Sequence, residues 1–257
     1  MSRDGAHPTP PLPATADAVV IGAGFAGAAT AWHLVQRGAG RVVILEAEPI
    51  PGKHGSGRNA AMARRVIEDP VLSRLATESV AGIRALDAAR EPRDPRLMTQ
   101  DGGILLGTAD DLDRLQAAAA AVPALAADLT RLDRDALVAR VPVLAGTTAS
   151  EGLATTECGV VDIHALLTRY LDGARRGGAT LHLRTAVTSV RTAGGRVTGV
   201  QTNRGAIATP TVINAAGFHV NGVAALAGLA ALPFDPVRRH LFTSAPWPGL
   251  DRGWPFV

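Results

Sequence analysis

Cysteine is almost missing from this sequence: Cys158 is the only one in 257 residues, so no internal disulfide can form. Its neighbours Glu157 and Asp162 do not favour a thiolate, and a structural role is expected. Aromatic residues make up 4% of the chain, which leaves few side chains for stacking on single-stranded nucleic acid. The formal charge of +3 comes without a polybasic face, because Arg64–Arg65 and Arg175–Arg176 are short pairs in mixed surroundings. No nucleic-acid partner is expected. No apolar run is long enough to span a bilayer, and the alanine-rich stretch Ala117–Ala127 is broken by Pro123. Residues 1–15 are rich in proline, carry Asp4 and lack the apolar core of a secretory signal, so we read them as a flexible leader on a cytoplasmic protein. His164, His182, His219 and His240 have no metal-ligand spacing, and Gly55-Ser56-Gly57 lacks the spacing of a nucleophile elbow. Metal and acyl-transfer chemistry are set aside.

What the sequence does have is apolar residues, 47% of the total, enough to bury one large or two modest cores. Asp17–Gly22 is an apolar run ending in glycine, Ala26–Arg37 has helical periodicity, and Arg41–Glu46 is apolar again. That order predicts a strand, a crossover helix and a parallel strand. Val19, Val20, Ile21, Val42, Val43, Ile44 and Leu45 do not alternate with polar residues, as in strands buried on both faces. Helices are predicted over 58–65, 70–90, 109–127, 133–141 and 163–176, with a strand over 102–107. Short strands near 181–183, 187–192, 197–202 and 206–209, turning at Gly194–Gly195, form a meander, and 211–213 is one more buried strand.

Two motifs carry chemistry. Gly22-Ala23-Gly24-Phe25-Ala26-Gly27 lies between a strand and a helix, the context that a glycine-rich dinucleotide turn requires. Gly22 permits the turn, Gly24 lets backbone approach a pyrophosphate, and Gly27 lets helix and strand pack closely, with the helix amides facing the anion. Glu46 ends the second strand about 20 residues later, where an acid accepts hydrogen bonds from an adenosine ribose. The second motif, His54-Gly55-Ser56-Gly57-Arg58-Asn59-Ala60-Ala61, is glycine-flanked with Ser56 as a helix N-cap, and it predicts a second anion-binding helix end. A cofactor with two phosphates suits two such ends. The competing reading is ordinary loop and strand-end chemistry at each position.

The order GAGFAG, Glu46, HGSGRNAA and VINAAG resembles the D-amino-acid oxidase superfamily of FAD enzymes. Within it, PGKHGSGRNAA, PVLAG, GVVDIHALLTRYLDGARRGGA, VINAAG and VRRHLF with the later PWPG and WP are similar in order and spacing to the D-arginine dehydrogenases, and glycine and sarcosine oxidases share the outline more loosely. The resemblance covers nearly all residues from Asp17 onward. It implies an α/β fold: a Rossmann-like FAD-binding domain (16–95 and 150–228), a parallel sheet with a meander inserted, interleaved with an incomplete α+β substrate domain (96–149 and 229–257).

The resemblance also implies noncovalent FAD, with its pyrophosphate at Gly22–Gly27, its ribose at Glu46 and its flavin end near His54 and Ser56–Ala60. Val187 matches the family's backbone contact to adenine, and Ala215, Ala216 and Gly217 match a further stretch beside the cofactor. The implied reaction oxidises the C–N bond of an amino acid or secondary amine by hydride transfer to flavin, giving an imine. Electrons then pass to oxygen or a quinone. Arg238 and Arg239, expected on a substrate-domain strand, are candidates for holding a substrate carboxylate, against the alternative of a solvated strand edge. His54 matches a loop histidine of the family and is the third catalytic candidate.

The sequence departs from the pattern in three places. Met62-Ala63-Arg64-Arg65-Val66-Ile67 lacks the aromatics of the family's mobile loop, which argues against D-arginine itself as substrate. Phe218 and His219 replace the small residue and tryptophan that usually follow NAAG. The chain also stops short of the family's C-terminal third, so a non-catalytic remnant, binding nucleotide weakly or completing a partner chain, stands as the alternative. A nicotinamide dehydrogenase accounts for the first motif but not for HGSGRNAA or VINAAG.

Overall fold

The computed structural model describes residues 10–99, 102–245 and 247–257. In chain order the elements are β1 (Ala18–Ile21), α1 (Phe25–Gln36), β2 (Val42–Leu45), β3 (Met62–Ala63), α2 (Pro70–Ala88), β4 (Met98–Thr99), β5 (Gly103–Leu106), α3 (Ala109–Ala120), α4 (Pro123–Ala126) and β6 (Thr130–Leu132). They continue with α5 (Arg134–Arg140), β7 (Gly152–Thr155), β8 (Gly159–Val161), α6 (Ile163–Arg176), β9 (Thr180–His182), β10 (Val187–Ala193), β11 (Arg196–Thr202), β12 (Gly205–Ala208), β13 (Val212–Asn214) and α7 (Val220–Leu226). Two compact units result: residues up to Asn59 with Leu167–His240, and Ala60–Leu166 with Leu241–Val257. These breaks differ from the sequence-based boundaries at 95, 149 and 228. Helix α2 packs with α3, and β8 pairs with β3 and β4, which gathers 60–95 and 150–166 into the second unit.

The first unit is built on a parallel sheet of order β13-β1-β2-β9. Every residue of β1 and β2 is buried, because both faces are covered. On one face Val20, Val42 and Ile44 pack with Ala28 and Ala31 of α1 and with Leu167, Leu171 and Ala174 of α6. On the other, Val19, Ile21, Val43 and Leu45 meet Val190, Val200 and Ile207 of the antiparallel meander β10-β11-β12, with Val223 and Leu226 of α7 at the margin. Burying each such side chain contributes roughly 1.5–3 kcal/mol, so this two-sided core is the main source of the unit's stability. Residues 1–9 of the expected flexible leader lie outside the described residues. The rest of it lies along β12, where Ala208 N donates to Ala14 O (2.9 Å) and Ala16 N to Ala208 O (2.9 Å), with Leu12 against the core.

The second unit holds two small antiparallel sheets, β3-β8-β4 and β5-β7-β6. Three of its helices, α2, α3 and α5, begin where acids or hydroxyls cap them: Asp69 accepts from Val71 N and Leu72 N, Thr108 and Asp111 form a capping box, and Asp133 accepts from Ala136 N. Arg65 is fully buried, with Asp128 at 2.8 Å and Glu157 at 3.2 Å.

Three expectations are corrected. The helix predicted over 109–127 is two, because Pro123 has no N–H to continue α3 and instead opens α4. The helix predicted over 58–65 does not form. Asn59 Nδ2 donates to Gly55 O and Ser56 O (both 3.0 Å), Ala61 takes φ 59°, which a helix cannot contain, and Met62–Ala63 pairs with β8 instead. The strand expected to carry Arg238 and Arg239 is also absent. Pro233 and Pro236 remove backbone donors from this stretch, and residues 235–245 have no regular structure.

Candidate functional site

At Gly22 and Gly27 the turn between β1 and α1 leaves no room for a side chain, because neighbouring backbone stands where a Cβ would be. Gly22 has φ 107°, and a Cβ there would lie 2.5 Å from the Ala215 carbonyl oxygen. A Cβ on Gly27 would lie 1.9 Å from Gly22 O, and one on Gly24 would lie 2.7 Å from Ser56 Oγ. The first-turn amides of α1, from Phe25 onward, have no carbonyl one turn back and point out of the helix end with its partial positive charge.

Other parts of the unit converge on this turn. Glu46, one residue past β2, accepts from Ala23 N through Oε2 (2.7 Å) and from Glu48 N through Oε1 (3.0 Å). Ser56 Oγ accepts from Phe25 N at 2.9 Å. Ala215 N donates to Ile21 O (2.9 Å), which holds the stretch after β13 against the end of β1, and Ala216 and Gly217 follow directly. Gly22, Gly24, Phe25, Ala26, Gly27, Glu46, Ser56, Ala215 and Ala216 therefore stand around one backbone turn. Contrary to the expectation from sequence, Ser56 does not cap a helix of its own. Its hydroxyl serves the first amide of α1, so one helix end with a seryl turn beside it replaces the expected pair of helix ends. Gly57 lies against Gly52 within that turn, where an added Cβ would be 2.5 Å from Gly52 O.

The remaining sequence candidates are spread out. Arg58, Asn59 and Ala60 are exposed, and Asn59 spends its amide closing the turn. Val187 opens β10, half-buried against the meander face of the core. Arg238 and Arg239 are exposed, and neither makes a hydrogen bond or ion pair among the described residues. His54 is half-buried, with Nε2 2.9 Å from Glu48 Oε1 and its ring edge-on to Phe218 at 5.1 Å. Glu48 also takes Lys53 Nζ at 2.5 Å on its other oxygen. The Lys53 hydrogen bond, then the one from His54, holds the Glu48 carboxyl below the usual range. Sequence reasoning passed over Glu48, whose place two residues after Glu46 says nothing without the contact to His54.

His182, also passed over, is buried at the end of β9, where its carbonyl accepts from Glu46 N (2.9 Å). Burial first, and then Arg204, pushes its pKa down, and Nδ1 is without a hydrogen-bond partner. No helix among the described residues is long and apolar enough to cross a membrane.

A turn crowded at its three glycines, amides at a helix end, a hydroxyl beside them and an acid one strand over fit the diphosphate and ribose of a dinucleotide. Comparison with known proteins narrows which one. The family model for FAD-dependent oxidoreductases (DAO) matches residues 17–257. Human mitochondrial sarcosine dehydrogenase is 28% identical over 239 residues, covering 86% of this chain and 25% of that protein. The hydrogen cyanide synthase subunit HcnC of Pseudomonas aeruginosa is 33% identical over 148 residues, covering 56% of this chain and 35% of its own. Among solved structures, L-amino acid deaminase from Proteus myxofaciens aligns with TM-score 0.74 at 26% identity, over 87% of this chain and 50% of that one. Glycine oxidase from Geobacillus kaustophilus aligns with TM-score 0.72 at 25% identity, over 85% and 60%. The chain thus spans a quarter to a third of these curated relatives and half or more of the solved chains. With a family model matched across all but its first residues and the glycine cradle that such a cofactor needs, the chain belongs to the DAO family of FAD-dependent oxidoreductases.

Proposed function

We propose that this chain carries the FAD-binding part of an enzyme that oxidises the C–N bond of an amino acid or secondary amine to an imine. The observation that supports it most is the cradle at Gly22, Gly24 and Gly27, with Ser56 and Glu46 already bonded to its backbone. In this reading the amides at the start of α1 and the Ser56 hydroxyl hold the diphosphate, and Glu46 holds the ribose. The Val187 backbone meets adenine, and Ala215–Gly217 and the turn from His54 to Ala60 line the flavin end. Binding is noncovalent. FAD when bound supplies the hydride acceptor. The chain's own residues position the amine: Arg238 and Arg239, whose guanidiniums have no partner among the described residues, are assigned to a substrate carboxylate, for which Arg is the bidentate match. Oxygen or a quinone takes the electrons in turn.

The test is an anaerobic titration of the FAD-loaded chain with D-amino acids, L-amino acids and N-methyl amino acids, followed by flavin absorbance. Bleaching by one class is the expected result and names the substrate. A loaded flavin that no member of the three classes reduces would overturn the proposal.

A further inference from the structure

His54 has been read so far as a residue beside the flavin, but nothing in its own turn fixes its ring. Glu48 does. The carboxylate accepts hydrogen bonds only, so its 2.9 Å contact requires the proton to sit on His54 Nε2. Glu48 is itself held from three sides. Its N–H donates to Glu46 Oε1 (3.0 Å), its carbonyl accepts from Arg184 N (3.0 Å), and its second carboxylate oxygen is taken by Lys53. Because Glu46 also takes the Ala23 amide, the brace runs unbroken from the glycine turn to the imidazole. On its other side the ring stands edge-on to Phe218, which stacks at 3.9 Å on His219 immediately after Gly217. His54 Nδ1 makes no hydrogen bond among the described residues.

We propose that Glu48 is a positioning residue for His54: it selects the tautomer with hydrogen on Nε2, clamps the ring against Phe218 and leaves Nδ1 as the nitrogen presented to a ligand. The arrangement is the one seen wherever a carboxylate orients a working imidazole. Its role toward substrate or flavin rests on the function proposed above, whereas the orientation itself does not.

The test has two arms. In the first, imidazole nitrogen NMR of the FAD-free chain, recorded where the rings are neutral, is compared with Glu48→Ala and Glu48→Gln. The wild-type His54 signals are expected to report hydrogen on Nε2. Glu48→Ala is expected to give a mixture of tautomers, and Glu48→Gln, whose carbonyl still accepts, to restore most of the wild-type pattern. Unchanged His54 signals in Glu48→Ala would overturn the proposal whatever the cofactor. In the second arm, the rate of flavin reduction is measured for Glu48→Ala, His54→Ala and the double variant. Each single change is expected to slow reduction about tenfold, and the double variant no further, since Glu48 acts through His54. Multiplicative losses would overturn that action. Failure of the chain to take up FAD, with the first arm positive, would count against the flavoenzyme reading and not against the clamp.

Discussion

Two stretches of the first unit, Gly22–Gly27 and Leu229–His240, were both expected to carry function, and they differ in what constrains them. At Gly22–Gly27 the main chain itself is held: a carbonyl lies 2.5 Å from where a Cβ on Gly22 would be, the Ala23 amide is bonded to the Glu46 carboxylate and the Phe25 amide to the Ser56 hydroxyl. At Leu229–His240 the side chains stand in solvent, with Leu229 66%, Phe234 60% and Val237 79% exposed. A binding turn made of main chain is determined by the fold that makes it, whereas a substrate grip made of side chains is determined by whatever packs around it. In the proposed reading, the cofactor grip is therefore set by the fold of this unit, whereas the substrate grip of Arg238 and Arg239 is not.

The sharpest way to break that contrast is Gly27→Ala. The added methyl would lie 1.9 Å from Gly22 O, which only a shift of α1 relieves. A loss of about 3–5 kcal/mol in urea unfolding is expected, in the range of severe core lesions. A change below about 1 kcal/mol would mean that the turn is looser than described. Next is Ile44→Ala in β2, where the side chain is fully buried against α1 and α6. It should cost about 2–5 kcal/mol by the same measurement, because the cavity cannot collapse between a sheet and two helices.

A smaller effect is expected from His182. Its folded pKa is depressed below the ordinary 6.5, so its neutral form is favoured by folding. The stability it contributes is complete above 6.5 and is lost as pH falls below that value, because the unfolded chain then binds the proton more readily. Urea midpoints of the wild type should therefore fall more steeply below pH 6.5 than those of His182→Gln; parallel curves would show that the ring is hydrated. The smallest effect belongs to Arg238→Ala with Arg239→Ala, expected to shift stability by no more than about 0.5 kcal/mol. A large loss would show that this stretch is packed after all, and would erase the contrast with the glycine turn.

This difference in constraint also decides what the sequence revealed. The strand, helix and strand around GAGFAG were readable because apolar runs without alternation mean burial on both faces, and the observed β1 and β2 are buried throughout. The meander and α6 followed from period and turn glycines in the same way. Residues 58–65 were misread as helix because most of them are good helix formers, while the φ of Ala61 and the pairing of Met62 with Val160 are tertiary facts with no local signature. The strands β4 and β7, of two and four residues, were not read from the sequence, since neither shows a period. At the site, Glu46 was legible from its spacing. Glu48 was not, since its meaning comes from His54, six residues on, folding back to meet it.

The central claim is that the β1–α1 turn is a dinucleotide cradle, and the most direct measurement is FAD uptake by the wild-type chain beside Gly24→Val. A valine there would push into Ser56 Oγ, 2.7 Å from the new Cβ, at the mouth of the turn and outside the core. Yellow protein with flavin fluorescence quenched and thermal stability raised by FAD is expected for the wild type, with uptake lost in a variant that still folds. Equal uptake by both chains, or uptake by neither, would contradict the account.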